Sequence, residues 1–119
     1  MKWNELKDVS QLESMHQVSF DKPVLIYKHS TRCSTSRMML DRLERNWKEE
    51  EMHHVAPYFL DLISYRDVSN AVSANYEVPH ESPQVLIVRN GKAIHDASHL
   101  GIDYRVLASF VHEVQENEG

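Results

Sequence analysis

The chain has 119 residues, of which 41% are hydrophobic and 26% charged, and its net charge is −5 with histidine neutral. That is the balance of a single globular domain, residues 1–119, and it argues against non-specific nucleic-acid binding, which needs a basic face. The longest apolar runs are strand-length, too short to span a bilayer, and the one cysteine, Cys33, excludes an intrachain disulfide and a multi-cysteine zinc site.

Trp3, Leu6, Val9, Leu12, Met15 and Val18 are spaced by threes. With Ser10 and Glu13 as a capping box, the spacing predicts a helix over 9–19, after a short edge strand at 2–6. Asp21-Lys22-Pro23 is a turn, since Pro23 forbids helix continuation. Residues 24–29 read as a buried strand, because the apolar residues there are continuous rather than alternating. A second helix is expected over 33–50, with Met39, Leu43 and Trp47 as its core stripe and Glu44, Glu49, Glu50 and Glu51 as a solvated outer face.

Residues 55–62 read as the next strand, with Pro57 pushing it to an edge or a strand start. A third helix is predicted over 65–76, on the four-residue spacing of Val68, Val72 and Tyr76. A rigid loop, 78–83, leads to the strand QVLIVR at 84–89. Asn90-Gly91 is a type I′ hairpin signal, so 92–98 returns as an antiparallel partner. Asp103 is placed to cap a last amphipathic helix carrying Val106, Leu107, Phe110, Val111 and Val114, and 115–119 should fray. The order β-α-β-α-β-α-β-β-α fits an α/β fold with a central mixed sheet of four to five strands and helices on both faces.

The chemistry concentrates at 24–37, VLIYKHSTRCSTSR. A buried strand delivers Cys33 to a helix N-terminus, where free N–H groups and the positive end of the macrodipole favour a thiolate over a thiol. Packing is the common fate of a free cysteine, but polar neighbours Ser30, Thr31, Arg32, Ser34 and Ser36 argue against burial here. Cys33 and Ser36 are the candidate catalytic pair: Cys33 as nucleophile, Ser36 either as a hydrogen-bond donor to the sulfur or as ordinary helix-start chemistry. Arg32 and Arg37 flank the site and favour the thiolate, or serve as surface charges. His53-His54 and His95 with His99 invite a metal reading. They lack a convergent ligand frame, so no metal and no bound cofactor are expected. His29 reads either as a structural strand-end residue or as one that biases the thiol.

These residues carry a family likeness. The element order, the cysteine opening helix two, and Ser82-Pro83 just before a strand resemble the thioredoxin superfamily, a three-layer fold. More narrowly, Lys28-His29-Ser30-Thr31-Arg32-Cys33 followed by Ser36, together with SPQVLIVRNG at 82–91, is similar to the monothiol bacilliredoxin family. Alone, Pro83 reads as a trans loop proline. The resemblance implies instead a cis-proline facing Cys33, with Ser82 presenting its backbone to an extended substrate. The family pattern has Pro-Ile between the cysteine and the serine, whereas this chain has Ser34-Thr35. Ser34 restores an N–H donor and adds a hydroxyl beside the thiolate.

The resemblance implies a thiol-disulfide oxidoreductase that takes a low-molecular-weight thiol, bacillithiol in that family, from oxidised client proteins. Substrate contacts would come from Thr31, Arg32, Ser34, Thr35, Arg37, Ser82 and Pro83, and an arginine would hold a carboxylate of the small thiol. The expected state is a monomer or weak dimer in a reducing cytoplasm, since 1–10 shows no apolar secretory segment. Two rivals remain open at this stage: a carrier of a cysteine-ligated 2Fe–2S cluster, like monothiol glutaredoxins, and a thioredoxin-like adaptor in which Cys33 is incidental.

Overall fold

The computed structural model describes residues 1–118, and side chains through residue 113. The chain runs β1 (Asn4–Glu5), α1 (Ser10–Val18), β2 (Val24–His29), α2 (Ser34–Asn46), α3 (Glu49–Met52), β3 (Ala56–Asp61), α4 (Arg66–Tyr76), β4 (Gln84–Arg89), β5 (Lys92–Ser98) and α5 (Tyr104–Glu118), with a 3-10 turn at His99–Gly101 before α5. The strands form one sheet in the order β1-β3-β2-β4-β5. β3 is parallel to β1 and β2, β4 is antiparallel to β2, and β5 is antiparallel to β4. No helix among the described residues is long and apolar enough to cross a membrane.

β2 and β4 lie in the middle, and every residue of both is buried. Their side chains alternate between two cores, as the strand period of two requires. Val24, Ile26, Leu86 and Val88 pack on Leu12 and Met15 of α1 and Val68 and Val72 of α4. Leu25, Tyr27, Val85 and Ile87 pack on Met39 and Leu43 of α2, Met52 of α3 and Leu107 and Val111 of α5. Each such side chain contributes about 1.5–3 kcal/mol of hydrophobic stabilisation. The same alternation sends Lys28 to the α4 side and His29 to the α2 side.

The hairpin forms as expected, with positive φ at both Asn90 (55°) and Gly91 (77°). Gly91 is required twice over, because a Cβ there would come within 3.0 Å of the side chains of His16 and Phe20. Pro57 is the second residue of β3; its carbonyl accepts Asn4 Nδ2 of β1 at 3.1 Å, and the strand register with β1 begins at Tyr58.

The helix ends depart from the sequence reading. The α1 terminus is not a Ser10/Glu13 capping box. Gln11 Oε1 accepts from the N–H groups of Lys7 (2.6 Å) and Asp8 (3.0 Å), and Asp8 Oδ1 accepts from Ser10 N–H (2.8 Å), so the reciprocal cap sits two residues earlier. The expected helix over 33–50 is two helices. Trp47 and Lys48 are extended, with ψ of 125° and 118°. The break has a distant cause: Lys48 N–H donates to the Tyr104 hydroxyl at 3.1 Å, which itself donates to Glu51 Oε1 at 2.7 Å. An α5 side chain thus replaces a helical acceptor, while the Trp47 ring packs between Trp3 and Tyr104. Asp103 caps α5 as predicted, accepting Arg105 N–H at 2.9 Å. α5 extends to Glu118, through residues expected to fray, while Gly119 and the side chain of Val114 lie outside the described residues.

Candidate active site

β2 ends at His29 and the chain turns through the polar run 30–32. Cys33 N–H donates to the Ser30 carbonyl at 3.2 Å, and the Cys33 carbonyl accepts Arg37 N–H at 3.2 Å, the first bond of α2. Cys33 is extended (φ −114°, ψ 115°), so it is the N-cap of α2 rather than its first helical residue, and no side chain caps this end. The sulfur is half-buried at the rim of the sheet. It therefore meets the positive end of a 13-residue helix from outside.

Ser36 lies one turn further along α2. It is fully buried, its Oγ accepts Ser30 N–H at 3.1 Å and lies 2.7 Å from His29 Nδ1, and its carbonyl accepts the Tyr27 hydroxyl at 2.8 Å. Among the described residues no hydrogen bond joins its hydroxyl to the Cys33 sulfur, and the bonds it makes are those of the helix-start reading. The residue ties the first turn of α2 to β2. Burial pushes the Tyr27 phenol up to about 12, so it remains a donor. Burial first, and the Arg37 charge second, push the His29 imidazole down from its ordinary value, which keeps it neutral near pH 7.

The Ser82–Pro83 bond is cis. Gln84 is opposite Lys28 in the sheet register, so Pro83 borders the end of β2 from which the chain runs to Cys33. His99 N–H donates to the Pro83 carbonyl at 3.0 Å, and Gln84 Nε2 donates to the Pro79 carbonyl at 3.0 Å, pinning this loop at both ends. Pro83 is buried, and Ser82 is half-buried with an Oγ that has no partner among the described residues.

Of the other residues selected from the sequence, Thr31, Arg32, Ser34 and Arg37 are exposed and Thr35 is half-buried, all on the loop and first turn around Cys33. The histidines considered for metal binding are dispersed. His95 stacks on Phe110 at 4.3 Å, His99 pairs with Glu81 at 2.9 Å, and His53 contacts His54 on the far side of α2. A residue that sequence reading passed over is Lys28. It is fully buried on the α4 side, where its Nζ reaches only neutral acceptors. The signal was available, because Lys28 directly follows the apolar run 24–27 in a strand read as buried. A cleft of about 630 Å³, lined by Arg42, Asn46, Lys48, Leu100, Tyr104 and Arg105, lies away from Cys33. Cys33, half-buried, does not line that cleft.

This sheet order, with a cysteine at the start of the helix after the central strand, defines a thioredoxin-fold protein with a thiol redox function. The chain is similar to a solved structure described as a candidate oxidoreductase with a thioredoxin fold, at 28% identity over 88% of this chain and 89% of that one, with a TM-score of 0.75. Thioredoxins of Trypanosoma brucei brucei (15% identity, 97% and 92% covered, TM-score 0.73) and Malassezia sympodialis (17%, 94% and 90% covered, 0.73) share the fold. The family model for monothiol bacilliredoxin BrxC matches residues 4–107, and the chain belongs to that family.

Proposed function

We propose that this protein is a monothiol disulfide oxidoreductase that removes a low-molecular-weight thiol of the bacillithiol class from mixed disulfides on client proteins. The observation that carries the reading is Cys33 itself, half-buried at an uncapped helix N-terminus in a chain with no second thiol. The Cys33 thiolate attacks the small-thiol sulfur of a protein–S–S–R disulfide. The S–S bond breaks, Cys33–S–S–R forms, and the client leaves as a thiolate that takes a proton from water. A second small thiolate then attacks the adduct, giving RSSR and free Cys33, so electrons balance over the cycle. With serine at position 36 the adduct has no internal resolving thiol.

Arg32 and Arg37 are exposed on the loop and first helical turn that flank Cys33 and suit a carboxylate-bearing small thiol. The loop before β4 would present the Ser82 backbone to an extended client segment. The setting that suits this chemistry is a reducing cytoplasm. The test is mass spectrometry of the protein mixed with a client blocked by bacillithiol. The expected result is a +R adduct on Cys33 and an unblocked client. A client that stays blocked while Cys33 stays free overturns the reading.

A further inference from the structure

Three pieces of chain meet at one hydroxyl: the end of β2, the loop after it, and the first turn of α2. Ser36 Oγ receives the Ser30 N–H at 3.1 Å and stands 2.7 Å from His29 Nδ1, with both side chains buried. A hydroxyl held from two directions cannot rotate freely, and the helix turn that bears it is fixed with it. His29 is itself immobilised. Its ring lies between those of Tyr27 (6.3 Å) and Phe59 (5.5 Å), and its carbonyl accepts Leu62 N–H at 3.0 Å. An apolar residue at 29 would fill the same space but would leave a buried hydroxyl short of a partner.

We infer that His29 is a positioning residue for thiol exchange: acting through Ser36, it sets the direction in which the first turn of α2 presents the Cys33 sulfur. The inference rests on the reading of Cys33 as the nucleophile. Attack on a disulfide needs the incoming sulfur in line with the bond that breaks, so a turn released from β2 loses rate even if the domain stays folded.

The experiment compares wild type with His29→Asn, His29→Gln, His29→Leu, Ser36→Ala and the double variant His29→Leu/Ser36→Ala. Two rates are read on each: alkylation of Cys33 by iodoacetamide, and exchange with a client mixed disulfide. Circular dichroism establishes that each variant is folded. Asparagine puts an amide where Nδ1 stands and should keep both rates within about threefold of wild type, whereas glutamine carries its amide one bond too far and should lose about tenfold, as should leucine. Because His29 acts through Ser36, the double variant should be no slower than the slower single one. The inference is overturned if the glutamine variant matches wild type, if folded asparagine and glutamine variants are equally slow, or if the two losses simply multiply. If wild type fails to exchange with the client but its alkylation rate follows this pattern, the proposed substrate is wrong and the role of His29 stands.

Discussion

Lys28 Nζ donates to Ser73 Oγ at 2.9 Å and to the Ser69 carbonyl at 3.3 Å, from a fully buried side chain that makes no ion pair among the described residues. Burial lowers its ammonium from 10.5 to about 8. The folded protein thus releases this proton near pH 8, while the unfolded chain holds it to 10.5. In that interval the unfolded state binds more protons, so stability rises with pH. Tyr27 and Tyr104, held protonated up to about 12, act in the opposite direction only above their ordinary value of 10. Urea unfolding should therefore show a gain of about 2 kcal/mol between roughly pH 8 and pH 10, absent in Lys28→Met. Near pH 7 that variant should be at least as stable as wild type, since it removes the cost of burying an unpaired charge. Parallel pH profiles for the two proteins would count against the buried charge.

Cys33→Ala should abolish adduct formation and exchange, while changing stability by less than about 1 kcal/mol, because the sulfur is only half-buried and makes no hydrogen bond among the described residues. The two measurements are mass spectrometry after incubation with an oxidised small thiol, and a thermal melt. Exchange that survives the substitution would move the chemistry elsewhere.

The α1 terminus separates two caps that look alike in sequence. Gln11→Ala removes the acceptor of two backbone N–H groups and should cost about 1 kcal/mol in urea unfolding. Ser10→Ala and Glu13→Gln, the residues of the cap that does not form, should stay within about 0.5 kcal/mol of wild type. The reverse order of effects would reinstate the cap read from sequence.

What was legible in the sequence was whatever a local pattern determines. β2 and β4 are each built on a continuous apolar run, 24–27 and 85–88, Asn90-Gly91 admits few turns, and the four-residue spacing of Val68, Val72 and Tyr76 marks α4; each formed within one residue of its expected bounds. What was not legible depended on partners far along the chain. The interruption after Asn46 is caused by Tyr104, 56 residues beyond the Lys48 whose N–H it accepts, and the composition of 33–50 gives no sign of it. The site divides in the same way. Cys33 at a helix start can be read from a strand, a polar turn and a helical pattern. That the Ser36 hydroxyl turns inward to His29 follows only from the packing of α2 on β2, so a residue that looks catalytic by spacing is an anchor by geometry.

That anchor leads to a prediction about the number of thiols. Cys33 is the N-cap and Ser36 the third helical residue, one turn apart, a separation at which Cα atoms fall within the roughly 4.4–6.8 Å that a disulfide spans. Ser36→Cys would place a thiol in a fully buried position, out of reach of a client but adjacent to whatever is attached to Cys33. Wild type, given an oxidised small thiol, should accumulate as a stable mixed disulfide. The variant should form the same adduct, then release the small thiol as the introduced thiolate attacks the Cys33 sulfur, finishing as an internally oxidised monomer. Mass spectrometry distinguishes the two: a retained adduct for wild type, or no adduct and the loss of two hydrogens for the variant. Substitution also replaces the hydroxyl that Ser30 and His29 hold, so the variant should melt lower by an amount consistent with about 1–3 kcal/mol. If the variant keeps its adduct as long as wild type does, position 36 does not face the Cys33 adduct, and the monothiol character of this site would then have a cause other than the serine.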